Sequence, residues 1–324
     1  MIAKVVTYAL TYSLLVATPA ARTQAPEQSR TATVRVDAQV IGKKSNGFVS
    51  GLKKEDFSIY EDGSEQKITR FSQNQGPLSI VLLVDSSGSM RRIMQAVIES
   101  LSQALTRMQP EDEVALMSFK DDTTLLQDFT RNKNLIADKL SRIVASRPTL
   151  LNEALYQAAA QLSKAPGANN RHLVIVVTDN LLREPAGSRS EREVFERIQA
   201  SGGVICGLIT GDSYTRSSPR YPQIQSVPTA EKGDIKTYAE KTGGIVTTVE
   251  KINEKEVAAG LAKMTDALRN YYSFEYVSSS PKQDGKYRRI KLKLSSDVEK
   301  REDKLKIVTA EGYYAPGANQ PAKQ

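Results

Sequence analysis

Asp85, Ser87 and Ser89 stand at alternate positions in the segment VLLVDSSGSM, residues 81–90. One carboxylate and two hydroxyls spaced in this way can turn toward a single point. Oxygen-only ligands suit a hard divalent cation: Mg2+ takes six oxygens at about 2.1 Å and keeps several of them as water. Other chemistries find less support. A serine nucleophile needs a base beside it, and the one histidine, His172, precedes the apolar run Leu173 to Thr178. It should therefore lie at the opposite edge of a sheet from the serines. An aspartyl-phosphate phosphatase needs a second acid two residues after the first, where Ser87 stands. Neither Gly-x-Ser-x-Gly, nor a Walker-type phosphate loop, nor Gly-x-Gly-x-x-Gly after a strand occurs. Metal-assisted hydrolysis stays formally open, because bound Mg2+ polarises an ester, but no base is on offer. A non-enzymatic binding role is the preferred reading.

The elements around the segment say where it sits. Leu78 to Val84 is a β-branched, apolar run that reads as a strand buried on both faces of a parallel sheet. Open α/β sheets bind their ligands outside the carboxyl ends of the strands, which is where Asp85 falls. Ile93, Met94, Val97, Ile98, Leu101, Leu105 and Met108 recur at helical spacing. Glu113 to Phe119 and Thr123 to Phe129 read as strands across a Lys-Asp-Asp turn; Asp121, Asp122 and Asp128 read as turn and surface residues. Helices over Leu135 to Ile143 and Leu151 to Leu162 precede the strand Leu173 to Thr178. A helix from Glu191 stops at Gly202-Gly203, a strand runs from Val204 to Thr210, and a helix from Asp234 stops at Gly243. A last strand covers Gly244 to Val249, and Asn253 with Glu256 forms a capping-box-like start to a helix ending near Leu268. Alternating strands and helices predict an α/β fold with a doubly wound, mostly parallel, Rossmann-like sheet. Residues 211–232 interrupt the rhythm with a polar stretch holding three prolines and two tyrosines. It should share the edge of Asp85, as a binding loop or a plain insertion.

Both flanks are β-like. Val34, Val36, Ala38 and Val40 alternate with Arg35, Asp37 and Gln39, the pattern of a half-buried strand. FSIYEDGSEQKITRF reads as two strands around Glu61-Asp62-Gly63. Downstream, YYSFEYVS is a strand, and Ile290, Leu292 and Leu294 alternate with Arg289, Lys291 and Lys293. That basic row reads as a solvated sheet face or a Lys-guarded edge in preference to a polyanion or lipid-headgroup patch. LKIVTA and EGYYA complete the set. Neither flank is large enough for a good core alone, so the two should pair into one β-sandwich-like unit. The expected divisions are 1–25 leader, 26–77 N-terminal β segment, 78–268 α/β domain, 269–316 C-terminal β segment and 317–324 flexible tail.

Composition narrows the setting. The 324 residues carry a formal net charge of +8 with the basic residues scattered among 37 acids, which argues against a nucleic-acid groove. Lys4, the apolar run Val5 to Ala17 and the small residues after it read as a secretory signal peptide, with an uncleaved anchor as the alternative. The run is too short for a comfortable membrane span, so no transmembrane segment is expected in the mature chain. An exported protein, periplasmic, cell-surface or secreted, with Cys206 alone forms no internal disulfide. Cys206 reads as a small buried residue of a strand.

Asp85-x-Ser87-x-Ser89 after a buried strand resembles the metal-ion-dependent adhesion site of von Willebrand factor A domains. The resemblance implies two further ligands, and Thr149 and Asp179 stand in the matching places. It implies that Ser87 and Ser89 bind Mg2+ (or Mn2+ or Ca2+) directly and Asp85 directly or through water. Thr149 and Asp179 would act through water or exchange on ligand binding. The remaining position would take a Glu or Asp from a partner protein. Two departures are visible: Asn180 and Arg147-Pro148 stand where relatives commonly have glycine. Asn tolerates φ > 0. The flanking segments FVSGLKKEDFSIYEDGSEQKITRF, YYSFEY, DGKYRRIKLKL and EGYY resemble those of exported bacterial A-domain proteins first catalogued from Acidobacteria. The function implied is cation-dependent adhesion or assembly at the cell envelope. A structural envelope scaffold with a stabilising metal, and a hydrolase, are the alternatives; the oligomeric state stays open.

Overall fold

A computed structural model describes residues 33–42, 47–146, 150–167, 169–180, 187–210, 235–249, 254–280, 282–301 and 304–317. The expected leader, Thr149 with Arg147 and Pro148, the 211–232 segment, the cap at Asn253 and the tail beyond Gly317 lie outside the described residues.

Strand β1 (Thr33–Gly42) buries Val34, Val36, Ala38 and Val40 as the alternation requires. Gln39 breaks the pattern. It is fully buried, and its amide donates to the carbonyls of Ala267 and Asn270. β2 (Phe57–Glu61) and β3 (Ser64–Gln66) form a hairpin across Asp62-Gly63, with φ of 46° and 86°. Positive φ at both loop positions matches the twist of the strands. β4 (Ile68–Gln75) follows but pairs elsewhere, so the two strands expected here are three. The chain changes sheets at Lys67, a choice set by packing and invisible to local alternation.

The α/β layer runs β5 (Leu78–Asp85), α1 (Met94–Leu105), β6 (Glu113–Phe119), β7 (Thr123–Thr130), α2 (Lys133–Leu140) and α3 (Leu151–Leu162). It continues with β8 (Arg171–Thr178), α4 (Glu191–Ser201), β9 (Gly203–Thr210), α5 (Ile235–Thr242), β10 (Val246–Val249) and α6 (Glu254–Arg269). The sheet order is β10-β9-β8-β5-β6-β7, parallel except for β7. Every residue of β5 is buried. Ile80, Leu82 and Val84 pack toward α1, α2 and α6, while Val81 and Leu83 pack toward α3, α4 and α5. Each such aliphatic side chain contributes about 1.5–3 kcal/mol relative to exposure. A one-residue slip would exchange both sets of contacts, so the register is held from both faces. Ser190 caps α4 in a capping box with Glu193, and Gly202 closes the helix at φ 67°. The chain builds outward from β5 on one side and from β8 on the other. The crevice between their carboxyl ends is therefore the topological switch point.

β11 (Asn270–Val277), β12 (Tyr287–Leu294), α7 (Ser296–Arg301), β13 (Leu305–Thr309) and β14 (Gly312–Tyr314) complete the chain. Two four-stranded sheets, β13-β1-β11-β4 and β14-β12-β2-β3, enclose a core that includes Val36, Phe57, Ile59, Tyr272, Phe274 and Leu292. Phe57 and Phe274 meet edge to face at 4.9 Å. The flanks thus form a β-sandwich beside the doubly wound sheet. α7 was not expected: SDVEKR is polar and short, and Val298, 1% exposed, anchors it. β12 lies between β14 and β2, so its basic row does not guard an edge.

The crossings between the two layers sit side by side. α6 ends at Arg269 and β11 begins at Asn270, which pairs with Gln75 of β4. The Arg269 guanidinium meets Asp112 at 2.9 and 2.8 Å with both side chains buried, and also donates to Gly76 O at 3.2 Å. The same carboxylate accepts the N–H of Leu78 at 2.9 Å. No helix among the described residues is long and apolar enough to cross a membrane.

Candidate metal centre

Asp85 ends β5, and Val84 pairs with Val177, so Thr178 at the end of β8 comes alongside. The Asp85 carboxylate is 1% exposed. Its Oδ1 accepts the N–H of Ser87 at 2.8 Å and its Oδ2 accepts the hydroxyl of Thr178 at 2.7 Å. Ser86 turns the chain by donating both its N–H and its hydroxyl to Phe119 O at 2.9 and 3.0 Å. Its own carbonyl accepts the N–H of Ser146 at 2.8 Å. The loop is thereby tied to β6 on one side and to the segment after α2 on the other. Ser87 is buried, and Ser89, which opens a 3-10 turn, is exposed. Their hydroxyl oxygens lie 3.0 Å apart.

Burial pushes the Asp85 carboxyl up to about 6. The hydrogen bonds from Thr178 and Ser87 pull the other way, and the charge of Asp179 adds to the rise. The effect of Asp179 on Asp85 places the two acids near each other at the carboxyl ends of adjacent strands. Among the described residues Asp85 has no basic partner. Asp179 is half-buried, and the chain turns after it through Asn180, at φ 58°. Asn180 does adopt the left-handed conformation that its side chain permits. Its N–H donates to Thr178 Oγ1 at 3.0 Å.

The donor set fits a hard cation. The Ser87 and Ser89 hydroxyls are hydrogen-bonded to each other at 3.0 Å, and two oxygens on one edge of an octahedron of radius about 2.1 Å also stand about 3.0 Å apart, so both can reach one ion with little movement. Two neutral hydroxyls and two nearby carboxylates supply oxygen only, the ligand type of Mg2+ and Ca2+. Among the described residues no three carboxylate, imidazole or thiol groups converge; a hydroxyl-rich site calls for none. Thr149 lies outside the described residues, but Leu150 after it donates to Lys120 O at 2.8 Å, just past the carboxyl end of β6. Thus Asp85, Ser87, Ser89 and Asp179 gather at one sheet edge.

Thr178 and Ser86 complete the arrangement and were missed from sequence. A signal existed: two parallel strands ending in Asp85 and Thr178 place those residues side by side once the register is known. His172 is the second residue of β8, at the far end of the sheet from Ser87, with Nδ1 2.9 Å from Ser201 O. Cys206 is fully buried, and burial pushes its thiol up to about 11. Asp122 pairs with Lys120 at 3.7 Å, and Asp128 accepts the N–H of Phe129 at 2.7 Å.

Residues 80–181 match the von Willebrand factor type A domain. Asp85, Ser87, Ser89, Thr149 and Asp179 all fall within the matched stretch. No curated protein matches the chain significantly. Among solved structures, the chain is similar to a von Willebrand factor type A protein from Catenulispora acidiphila, with 12% identity, 89% of this chain and 74% of that one covered, and a TM-score of 0.46. It is also similar to the conserved hypothetical protein BatB from Bacteroides thetaiotaomicron, with 17% identity, 58% and 98% covered, and a TM-score of 0.42. A third similarity is to the type V pili tip protein Mfa5 from Porphyromonas gingivalis, with 16% identity, 49% and 29% covered, and a TM-score of 0.32. At this level of superposition none of them informs on function.

Proposed function

We propose that the chain is an exported, divalent-cation-dependent protein-binding module acting in adhesion or assembly at the cell envelope. Ser87 and Ser89 would hold the ion directly, Asp85 directly or through water, with Thr149 and Asp179 completing the set. When bound, Mg2+, or Mn2+ or Ca2+ in its place, supplies an electrophilic position for a Glu or Asp of the partner. The neutral serine oxygens leave much of the ion's charge unbalanced, which strengthens its pull on a carboxylate in a partly dry interface. Thr178 orients Asp85 by its hydrogen bond at 2.7 Å. The observation that carries the reading is a buried carboxylate without a basic partner among the described residues that stands at the carboxyl edge of the sheet beside the Ser87 and Ser89 hydroxyls and a second acid, Asp179. Export rests on the composition of the first 25 residues. Kinship with the Acidobacteria-type exported proteins rests on the flanking segments.

The test is thermal unfolding in EDTA, Mg2+ or Mn2+, beside Asp85→Ala. Occupancy at a hundred times Kd stabilises by about 2.7 kcal/mol. A metal-dependent rise that vanishes in the variant supports the site; no rise in either protein sinks it. A Mg2+-dependent pull-down from envelope extracts then separates adhesion from the scaffold alternative, which predicts stabilisation without a partner.

A further inference from the structure

The basic row of β12 is a solvated sheet face that also lines a cleft. Arg289, Lys291 and Lys293 are exposed on the outer side of their sheet, about 6.8 Å apart as alternate residues of a strand. Across from them stand Tyr60 on β2 and Asp62 in the turn that follows it, whose Oδ1 accepts the N–H of Arg289 at 2.9 Å; Lys291 pairs with Tyr60, and Lys293 Nζ lies 4.6 Å over the Tyr60 ring. On the other side Tyr287 pairs with Tyr314, ring to ring at 5.1 Å. Gly312 pairs with Arg289, and a Cβ there would come within 2.1 Å of Arg288 O and 2.7 Å of the Tyr287 ring. Only glycine lets that ring keep its place.

Helices α4 and α5 of the α/β layer form the facing wall through Phe195 and Lys241. The wall is bolted on: Gln199 exchanges hydrogen bonds with the backbone of Tyr314 at 3.0 and 2.9 Å, and Arg192 donates to Gly285 O at 3.0 Å. Between the layers lies a cleft of about 1130 Å³. Lys241 is engaged by Glu191 and Lys293 by Tyr60. Arg289 and Lys291 have no side-chain hydrogen-bond or ion-pair partner among the described residues. The Tyr287 hydroxyl is buried there and likewise unpartnered.

We propose that this cleft binds an acidic glycan, a saccharide chain bearing carboxylates. Arg289 and Lys291 would take the sugar carboxylates, the strong form of charge-assisted hydrogen bond. The tyrosine rings offer apolar faces to sugar C–H groups. Asp62 and Glu311, which also line the cleft, accept hydrogen bonds from sugar hydroxyls. Those two carboxylates disfavour a polyphosphate, which offers them no donor, whereas a glycan offers many hydroxyls; the polyglutamate arm of the test below separates a glycan from an acidic peptide. A membrane surface is flat and cannot enter a recess between two packed layers. The site is separate from the candidate metal centre and does not depend on it.

Isothermal titration calorimetry on the full chain in EDTA, which silences any metal-borne carboxylate binding, tests the proposal. The probes are hexagalacturonate and a hyaluronan hexasaccharide, against methyl-esterified hexagalacturonate, polyglutamate of equal charge and anionic phosphatidylglycerol vesicles. At least one acidic hexasaccharide should bind, and the ester should bind about tenfold or more weakly. The Arg289→Ala/Lys291→Ala variant should lose about tenfold or more in affinity with an unchanged unfolding temperature; Lys291→Gln is the milder check should the double variant misfold. Asp85→Ala should bind as the parent does. Overturning results are no binding of either hexasaccharide at about millimolar concentration, equal binding of polyglutamate, binding of vesicles alone, or undiminished binding by the folded variants.

Discussion

At the amino end of the central sheet one of the buried carboxylates, Asp112, meets Arg269 at 2.9 and 2.8 Å. At the carboxyl end the buried carboxylate is Asp85, and it meets a peptide N–H and a hydroxyl at 2.8 and 2.7 Å. The first is a closed ion pair: each charge has lost its water and found its opposite, and the pair ties together the two crossings between layers. The second carries a negative charge that hydrogen bonds alone do not balance. Glu61 in the β-sandwich shows that hydroxyl donors by themselves do not make a metal site. It is buried and accepts from Tyr276, Ser278 and Tyr313 at 2.7, 2.6 and 3.0 Å, but it is enclosed by the sandwich core. Asp85 differs in position: it stands at the switch point, beside exposed Ser89 and a second acid. Placement at an accessible sheet edge, with charge unbalanced, separates a candidate site from a structural hydrogen bond.

Three substitutions probe this contrast. Asp112→Ala leaves the Arg269 guanidinium buried without its partner, and should cost about 3–5 kcal/mol in urea unfolding; a loss below about 1 kcal/mol would mean that water already screens the pair. Asp85→Asn should act in the opposite direction. Without metal it removes an uncompensated buried charge and keeps an acceptor for Ser87 N–H, so stability in EDTA at neutral pH should rise by about 2 kcal/mol. The same variant should show no Mg2+-dependent rise. Destabilisation in EDTA would show that the carboxylate is already balanced by a group outside the described residues. Thr178→Val is the smallest change. It takes a donor from Asp85 and an acceptor from the N–H of Asn180. A stability loss of about 1–2 kcal/mol is expected, with metal affinity falling about tenfold to a hundredfold, as for other groups that orient a ligand. Unchanged Mg2+ titration midpoints in a thermal-shift assay would remove Thr178 from the site.

Much of the fold was legible because its signals are local. The run from Leu78 to Val84, the helical stripe through Leu101, the stop at Gly202 and the alternation along β1 and β12 each follow from side-chain period or backbone freedom. The errors fall where a choice depends on distant partners. FSIYEDGSEQKITRF reads as two strands, but the chain leaves one sheet for the other at Lys67 because the opposing layer is there to receive Ile68. SDVEKR offers a single apolar residue, too few for a helical period, and Val298 becomes an anchor only once there is a core beneath it.

The sequence by itself determined the chemistry at the candidate site: Asp85, Ser87 and Ser89 at alternate positions after a buried strand are adjacent in the chain, so their convergence costs little loop-closure entropy. It also determined that β12 presents cations on one face and apolar residues on the other. Only the tertiary structure decided what those features meet. Parallel pairing of β5 with β8 brought Thr178 to Asp85 across a sequence separation of 93 residues. Docking of α4 on β14 turned the basic face of β12 into one wall of a cleft. Both depend on long-range contacts between surfaces buried together, whose partners no local period of the chain can specify.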